Sequence, residues 1–330
     1  MPLIKPSLVL LFCTTLCACS SGPTEEELNV RVDDLRQRSA QYFNAGSYHQ
    51  ALQQALLGLE LVDSDSGELN MLAGHALMMM GDLHDVASAQ PYLERACEML
   101  DNYRADLLLG EFHQRYGSML HAHALRLRKS IADFPSSNEE QQIADSEANE
   151  LRLAKAQQHF LLAIELFLVA LKESPDDLYA LQLIGSSYSL TKQPAPARVY
   201  LNQAIDILVE SRQYKNRVIV TDTKMDLRQE SRLRNELLQD IQTEVAIRML
   251  IAGLDSVASD TAAELAQYTK ILGLSPQNLN AIFGRGLCHY KLGNFHLATA
   301  DFDYFIANTP LGFDHPQVRR AFKIIEETSL

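Results

Sequence analysis

The sequence contains no tryptophan, only 15 glycines and 11 prolines in 330 residues, and an aromatic content of 7%. Such a sparse supply of backbone breakers leaves long Ala/Leu/Gln/Glu-rich stretches uninterrupted. These residues lose little rotamer freedom in a helical turn, so the composition points to helix. Cations are also short: 29 Lys and Arg stand against 42 Asp and Glu, a formal net charge of −13. A face that neutralises phosphates needs a basic excess, so a nucleic-acid partner is excluded. No apolar run is long enough to span a bilayer: Leu8–Phe12 is too short, and the twelve-residue stretch Phe160–Leu171 carries Glu165. What remains is an ordinary globular share of hydrophobic residues, 47%, with 22% charged.

The first residues read as a processing signal and are set aside from the fold. Lys5 supplies a positive region and Leu8-Val9-Leu10-Leu11-Phe12 a short apolar one. The segment ends in Leu16-Cys17-Ala18-Cys19, followed by Ser20-Ser21-Gly22-Pro23. This resembles the bacterial lipobox, which implies diacylglyceryl transfer to the Cys19 thiol, cleavage after Ala18 and acylation of the new amine. The alternative is an ordinary secretory signal in which Cys19 is incidental. Two or three acyl chains anchor a protein stably where one holds it marginally. Ser20 after the cysteine resembles an outer-membrane sorting signal, so the expected location is the outer membrane, facing the periplasm. Cleavage leaves Cys97 and Cys288 in the mature chain. An oxidising compartment permits their pairing, but they lie about five repeats apart on the 34-residue grid below, so a buried thiol at each site is expected.

A fixed period runs through the rest. Ala163-x3-Phe167-x2-Ala170-x4-Pro175 recurs 34 residues later as Ala197-x3-Leu201-x2-Ala204, and again as Ala298-x3-Phe302-x2-Phe305-x4-Pro310. First helices carry Gly185-x2-Tyr188 and Gly286-Leu287-Cys288-His289-Tyr290, and turns read Tyr42–Tyr48, Met80–Leu83 and Tyr290–Phe295. Small residues mark close helix approach, bulky ones fill the gap to the next unit, and proline ends the second helix. These motifs resemble tetratricopeptide repeats, although Leu35, Leu181 or Ile282 stands where that family prefers tryptophan. The resemblance implies an all-α solenoid of antiparallel helix pairs, about six to seven units with insertions and a C-terminal capping helix. The expected organisation is a cleaved signal at 1–18, a lipidated linker at 19–30 and repeats over 31–330. On the 34-residue grid the units fall at 32–65, 67–101 (with a short insertion around Ala87–Pro91), 103–135, 144–177, 178–211, 245–278 and 279–312.

Two stretches break the rhythm, near 136–145 and 212–244. Ser137-Asn138-Glu139-Glu140 reads as a capping box, and the span to Glu173 is open to being one helix or two. Its second half, Phe160–Leu171, reads as a central buried helix. Val218-Ile219-Val220 reads as a short β-like run, and Asp222–Ile241 as a charged amphipathic helix with Leu233, Leu237 and Ile241 on one stripe. A closing helix over 315–328 is expected to turn Val318, Ala321, Phe322 and Ile325 inward.

No arrangement reads as catalytic, and no cofactor or metal is expected. His121 and His123, two apart on a helix, face away from each other, so with His113 they make no ligand set. Met78-Met79-Met80 reads as core packing. Gly284-Arg285-Gly286 lacks the third glycine and the strand-to-helix turn of a nucleotide loop. Gly185-Ser186-Ser187 lacks the strand of a nucleophile elbow. Asp222, Asp226 and Glu230, interleaved with Lys224, Arg228 and Arg232, read as a solvated face.

What remains is surface recognition. In the resembled family the first helices line a concave groove. Carried over residue by residue, the groove positions are Phe43, Met71, His75, Met78, Tyr179, Gln182, Ser186, Asn280, Phe283, Leu287 and Tyr290, with Arg36, Ala40, Asn44, Met79, Leu107, Glu111, Gln114 and Ser189 alongside. The paired Lys and Asn of a carboxylate clamp are missing, so a helix or extended segment of another envelope protein is the expected occupant. The expected function is a membrane-anchored adaptor that supports an envelope assembly: a pilus, secretion or cell-wall complex. The alternative is a ligand-binding accessory of a solute transporter, which requires a closed pocket. Oligomeric state is left open by the sequence.

Overall fold

Helices in this chain stop where proline forbids the next turn. Pro175, Pro276 and Pro310 each follow a helix that ends two residues earlier, at Glu173, Leu274 and Asn308. Starts are set by short polar side chains. Thr24, Ser66, Asp82, Asp177, Asp226, Asp260 and Asn278 each accept a backbone N–H from the first turn that follows. The structure, a computed structural model, describes residues 24–62, 65–133, 139–222 and 224–328. The signal segment and Cys19 lie outside these residues, as do Ser137 and Asn138 of the expected capping box.

Among the described residues there are fourteen helices and no strand. α1 (Glu25–Asn44) pairs with α2 (Tyr48–Leu61). α3 (Gly67–Met80) pairs with a second helix broken at Ala89 into α4 (Leu83–Ser88) and α5 (Gln90–Leu100), where the sequence reading had placed a short insertion. There follow α6 (Tyr103–Asp133) with α7 (Glu139–Glu173), and α8 (Leu178–Leu190) with α9 (Pro194–Thr221). α10 (Leu227–Val257) pairs with α11 (Thr261–Leu274), and α12 (Leu279–Lys291) with α13 (Phe295–Asn308). α14 (Pro316–Thr328) packs on α13 and closes the array. The three turns legible in the sequence each use a left-handed glycine: Gly46 at φ +73°, Gly81 at +92° and Gly293 at +76°.

Each pair buries little by itself, and the core is continuous because neighbours share it. Ala163 and Phe167 of α7 meet Ile184 of α8, while Leu181 of α8 joins Ala197, Leu201 and Ala204 of α9 and Ile247 and Ile251 of α10. Carboxylates between helices carry cation partners: Asp255 with Arg198, Glu244 with Arg212 and Arg248, Glu264 with Lys291, and Asp301 with Arg285.

Several expectations are corrected. The units placed at 103–135 and 144–177 are a single hairpin of double length, because α7 is one unbroken helix and so is α6. The reason is packing register. A Cβ at Gly110 would lie 2.5 Å from the Phe167 ring, and one at Gly117, two turns on, 2.9 Å from the Phe160 ring. Gly110 and Gly117 of α6 therefore seat two aromatics of the same partner helix, α7. α7 passes as a bilayer-spanning helix by length and composition; here Ala156, Phe160, Ala163 and Phe167 pack on α6 and α8, while Leu161 and Val169 stay exposed, so Phe160–Leu171 is buried along one stripe and not all round as expected.

Val218-Ile219-Val220 is not β-like, since α9 runs helical through Thr221. Tertiary pairing overrides the β-branched preference: Arg212 pairs with Glu244 and Lys215 with Asp240 (2.7 Å) across α9 and α10. The stretch at 212–244 is thus the far end of a long hairpin, a protrusion made of ordinary helix. α10 begins at Leu227, so Asp222 does not share its face with Asp226 and Glu230; it sits in the connection, accepting the Lys224 N–H at 3.0 Å. In α14 the inward residues are Val318, Ala321 and Ile324, with Ile325 partly buried. Phe322 turns out against Phe313, ring centroids 5.9 Å apart.

Candidate functional site: the face formed by the first helices

The first helices of successive pairs, α1, α3, α6 and α8, bring part of the expected groove together. The Phe43 ring of α1 lies 4.2 Å from the His75 ring of α3 and 5.4 Å from Tyr48. His75 is held well below its ordinary value, to about 4, first by burial and then by the Arg115 guanidinium of α6. It is therefore neutral at pH 7 and presents an imidazole edge without charge. On the same helix as Arg115, Glu111 is pushed up by burial, against the opposing pull of the Tyr179 hydroxyl and Arg115. Tyr179, on α8, is raised by burial and by the Glu111 carboxylate beside it. The ring itself stays open, 47% exposed.

A second link fixes α6 against α8. The Gln114 amide donates to the Leu183 carbonyl (3.1 Å), to Ser186 and to the Ser187 hydroxyl (2.9 Å). Ser186 also donates to the Leu183 carbonyl at 3.0 Å. Both hydroxyls of Gly185-Ser186-Ser187 are thereby engaged in packing, and Gly185 itself is filled by Leu201, 2.5 Å from where a Cβ would stand. Gly284 and Gly286 are likewise occupied, by the Tyr268 and Phe302 rings.

The remaining predicted groove residues separate. Met78 is fully buried and Phe283 is 7% exposed, so both belong to the core and not to the surface; Phe283 packs on Phe302 and Phe305 at 5.7 and 5.0 Å. The reason is helix phase. Met78 faces Val86 and Leu93 of its own pair, and Phe283 faces α13. Met71 is partly buried against the Met78 core, and Gln182 is partly buried on α8. Leu287 and Tyr290 pack towards the C-terminal core, where the Tyr290 hydroxyl donates to Glu327 of α14 at 2.8 Å; Asn280 is exposed at the start of α12. The α12 set is thus tied to the closing helix.

Arg115 escaped the sequence reading, although its position one turn after Glu111 is a usable signal. His159 escaped it as well. It stands 46 residues from His113, yet the two Nδ1 atoms are 2.8 Å apart, and no spacing rule finds such a pair. The ligand-bearing atoms of Asp82, His84 and Asp85 lie within 4.8 Å of one another at the surface. Asp82 is already engaged as the N-cap of α4, accepting the Asp85 N–H at 2.7 Å. A surface cavity of about 550 Å³ is bounded by Leu272, Ile282, Tyr304 and the Arg285–Asp301 pair.

No protein-family model matches the chain, and no curated protein matches it. Solved structures do resemble it. That of Pseudomonas aeruginosa pilF is 12% identical with a TM-score of 0.49, covering 90% of this chain and 98% of that one. TTC0263, a thermophilic TPR protein of Thermus thermophilus, is 14% identical with a TM-score of 0.40, covering 78% and 98%. A tetratricopeptide repeat protein from Parabacteroides merdae is 13% identical with a TM-score of 0.39, covering 91% and 100%. Helix pairing, left-handed glycine turns and small residues seated under bulky ones together give the chain an all-α, TPR-like solenoid fold.

Proposed function

We propose that this protein is a lipid-tethered scaffold which holds a segment of another envelope protein along the face of its first helices, supporting assembly of a pilus, secretion or cell-wall complex. The observation that carries the binding half is the band from Phe43 through His75, Arg115 and Glu111 to Tyr179, which crosses four first helices. It mixes aromatic, neutral imidazole and single charged groups without a nucleophile–base pair, a chemistry suited to holding a peptide segment rather than transforming one. The glycine and serine motifs that invite an enzymatic reading are supplied with packing partners.

The tethering half rests on the sequence, Leu16-Cys17-Ala18-Cys19. Thr24 caps α1 in a reciprocal box with Glu27, so four residues separate Cys19 from the first helix cap. That leash reaches about 17 Å at full extension, which keeps the first pair close to the membrane surface. Growth with an alkyne-tagged fatty acid tests the tether. The wild-type chain is expected to carry label and sediment with outer membranes, while Cys19→Ala carries none and is released as a folded soluble protein. Equal labelling of both would overturn the assignment.

A further inference from the structure

Nearer the open end of the double-length hairpin than its turn, α6 and α7 meet through two imidazoles. His113 and His159 are 5% and 7% exposed, their ring centroids are 5.1 Å apart, and their Nδ1 atoms approach to 2.8 Å. At that separation one Nδ1 carries the hydrogen and the other offers its lone pair, so the two rings hold opposite tautomers. The surroundings are aromatic. Phe112 lies edge-on to His113 at 5.0 Å, and Tyr116 edge-on to His159 at 4.8 Å.

We propose that the His113–His159 hydrogen bond is a proton-operated latch on the α6–α7 hairpin, closed while the rings share one hydrogen and released once both Nδ1 atoms are protonated.

The charges around the pair set its direction. From α7, Lys155 bears on His159 and also lies over the Tyr116 ring, 5.6 Å from its centroid. From α6, the ionisable neighbours are Tyr116 and His113 itself. Leu83 of α4 and the Leu183, Ser186 and Ser187 groups of α8 that approach this stretch are uncharged. Among the described residues no carboxylate bears on either imidazole. A first proton therefore places a charge in an apolar niche that already faces an ammonium group. A second turns two N–H donors, both cationic, towards each other. Burial accordingly depresses both rings, His113 to about 4. The pair titrates as a unit.

Release has a defined consequence. Gln114, the next residue on α6, holds that helix to α8, and Glu111 and Arg115 flank it on the face assigned above to partner binding. Slackening α6 loosens that face; this consequence rests on the proposed binding role, whereas the latch itself does not.

Hydrogen exchange, corrected for intrinsic rates and measured on the full chain with no partner present, reads the latch directly. Between pH 6.5 and 4.5, amides of 110–120 and 155–165 should lose protection by about tenfold or more, the effect of holding an imidazole two or more units below its free value, while α12 and α13 stay unchanged. In His113→Asn/His159→Asn, which keeps a neutral donor–acceptor pair, and in His113→Phe/His159→Phe, which keeps two apolar rings, no titrating ring is left and the local loss should shrink to under about threefold. Equal acid-induced exchange in wild type and both variants overturns the proposal, and so does wild-type protection that does not change. Nitrogen-15 spectra of the imidazoles at pH 7 add a check that needs no variant: one Nδ1 protonated and one bare is expected, and two protonated Nδ1 atoms would contradict the pair. Because no partner is present, none of these outcomes depends on whether the face binds one.

Discussion

Replacing Gly110 by alanine sets two effects of opposite sign against each other. Alanine is the better helix former by about 1 kcal/mol in a helix interior. At Gly110, however, the new methyl would stand 2.5 Å from Cε1 and 2.7 Å from Cδ1 of Phe167. That ring is fully buried in a core shared by α6, α7 and α8 and has no solvent side to turn towards. Overpacking of this kind costs about 1–3 kcal/mol, more where the neighbour is rigid. The net expectation is destabilisation by about 1 kcal/mol, concentrated in the α6–α7 hairpin. Gly253 and Gly273 are the matched controls: both lie within helices, and neither has an atom within 4 Å of an added Cβ. There only the propensity gain acts, so Gly253→Ala and Gly273→Ala should stabilise by about 0.5–1 kcal/mol. Denaturant midpoints at unchanged slope measure all three, with hydrogen exchange locating the loss, since repeat arrays open piecewise. If Gly110→Ala stabilises the protein as the controls do, Phe167 is not seated on that glycine, and the reading of 103–173 as one hairpin fails.

Two further outcomes follow from the buried groups. His75, His113 and His159 are all held below their ordinary value in the folded chain. Their contribution to stability is therefore complete above about pH 6.5 and declines as pH falls, by at most about 3 kcal/mol each for His75 and His113, the two rings held at about 4. Subtracting the stability curve of His75→Gln/His113→Gln from that of the wild type should show this slope between pH 6.5 and 4, and a flat difference would refute it. Cys97, half-buried where a buried thiol was expected, and Cys288, fully buried, are free thiols that burial pushes up to about 12. Both should resist alkylation at pH 8 in the folded protein and react once it is unfolded; rapid labelling of the native chain would contradict their placement.

The sequence carried the outer units better than the middle for a physical reason. Tyr42–Tyr48 and Tyr290–Phe295 contain a glycine at the one position where the backbone must turn left-handed, and Pro310 ends the helix after the second of these turns by equally local chemistry. Such signals lie within a few residues of the structure they cause. The long hairpins are set by contacts far apart in sequence, as between Gly110 and Phe167 or Lys215 and Asp240. A fixed 34-residue grid has no means of seeing them. The same limit applies to two of the expected groove positions, Met78 and Phe283. Helix position alone placed Phe43, His75 and Tyr179 beside one another's neighbours, but it could not tell that Met78 and Phe283 turn into the core. It also missed Arg115 and His159, whose significance comes from partners on other helices.

The face of the first helices is the proposed place where a partner is held, and a photo-crosslinking amino acid tests that role most directly. Tyr179 is the position of choice, at 47% exposure on α8; Val199, 63% exposed on the second helix α9, is the control for the opposite surface. In the native host, with Cys19 retained, the reporter at Tyr179 should trap one discrete protein through a defined segment, and the reporter at Val199 should not. The same adducts from both positions, or only a spread of abundant proteins from Tyr179, would contradict a partner-holding role for this face.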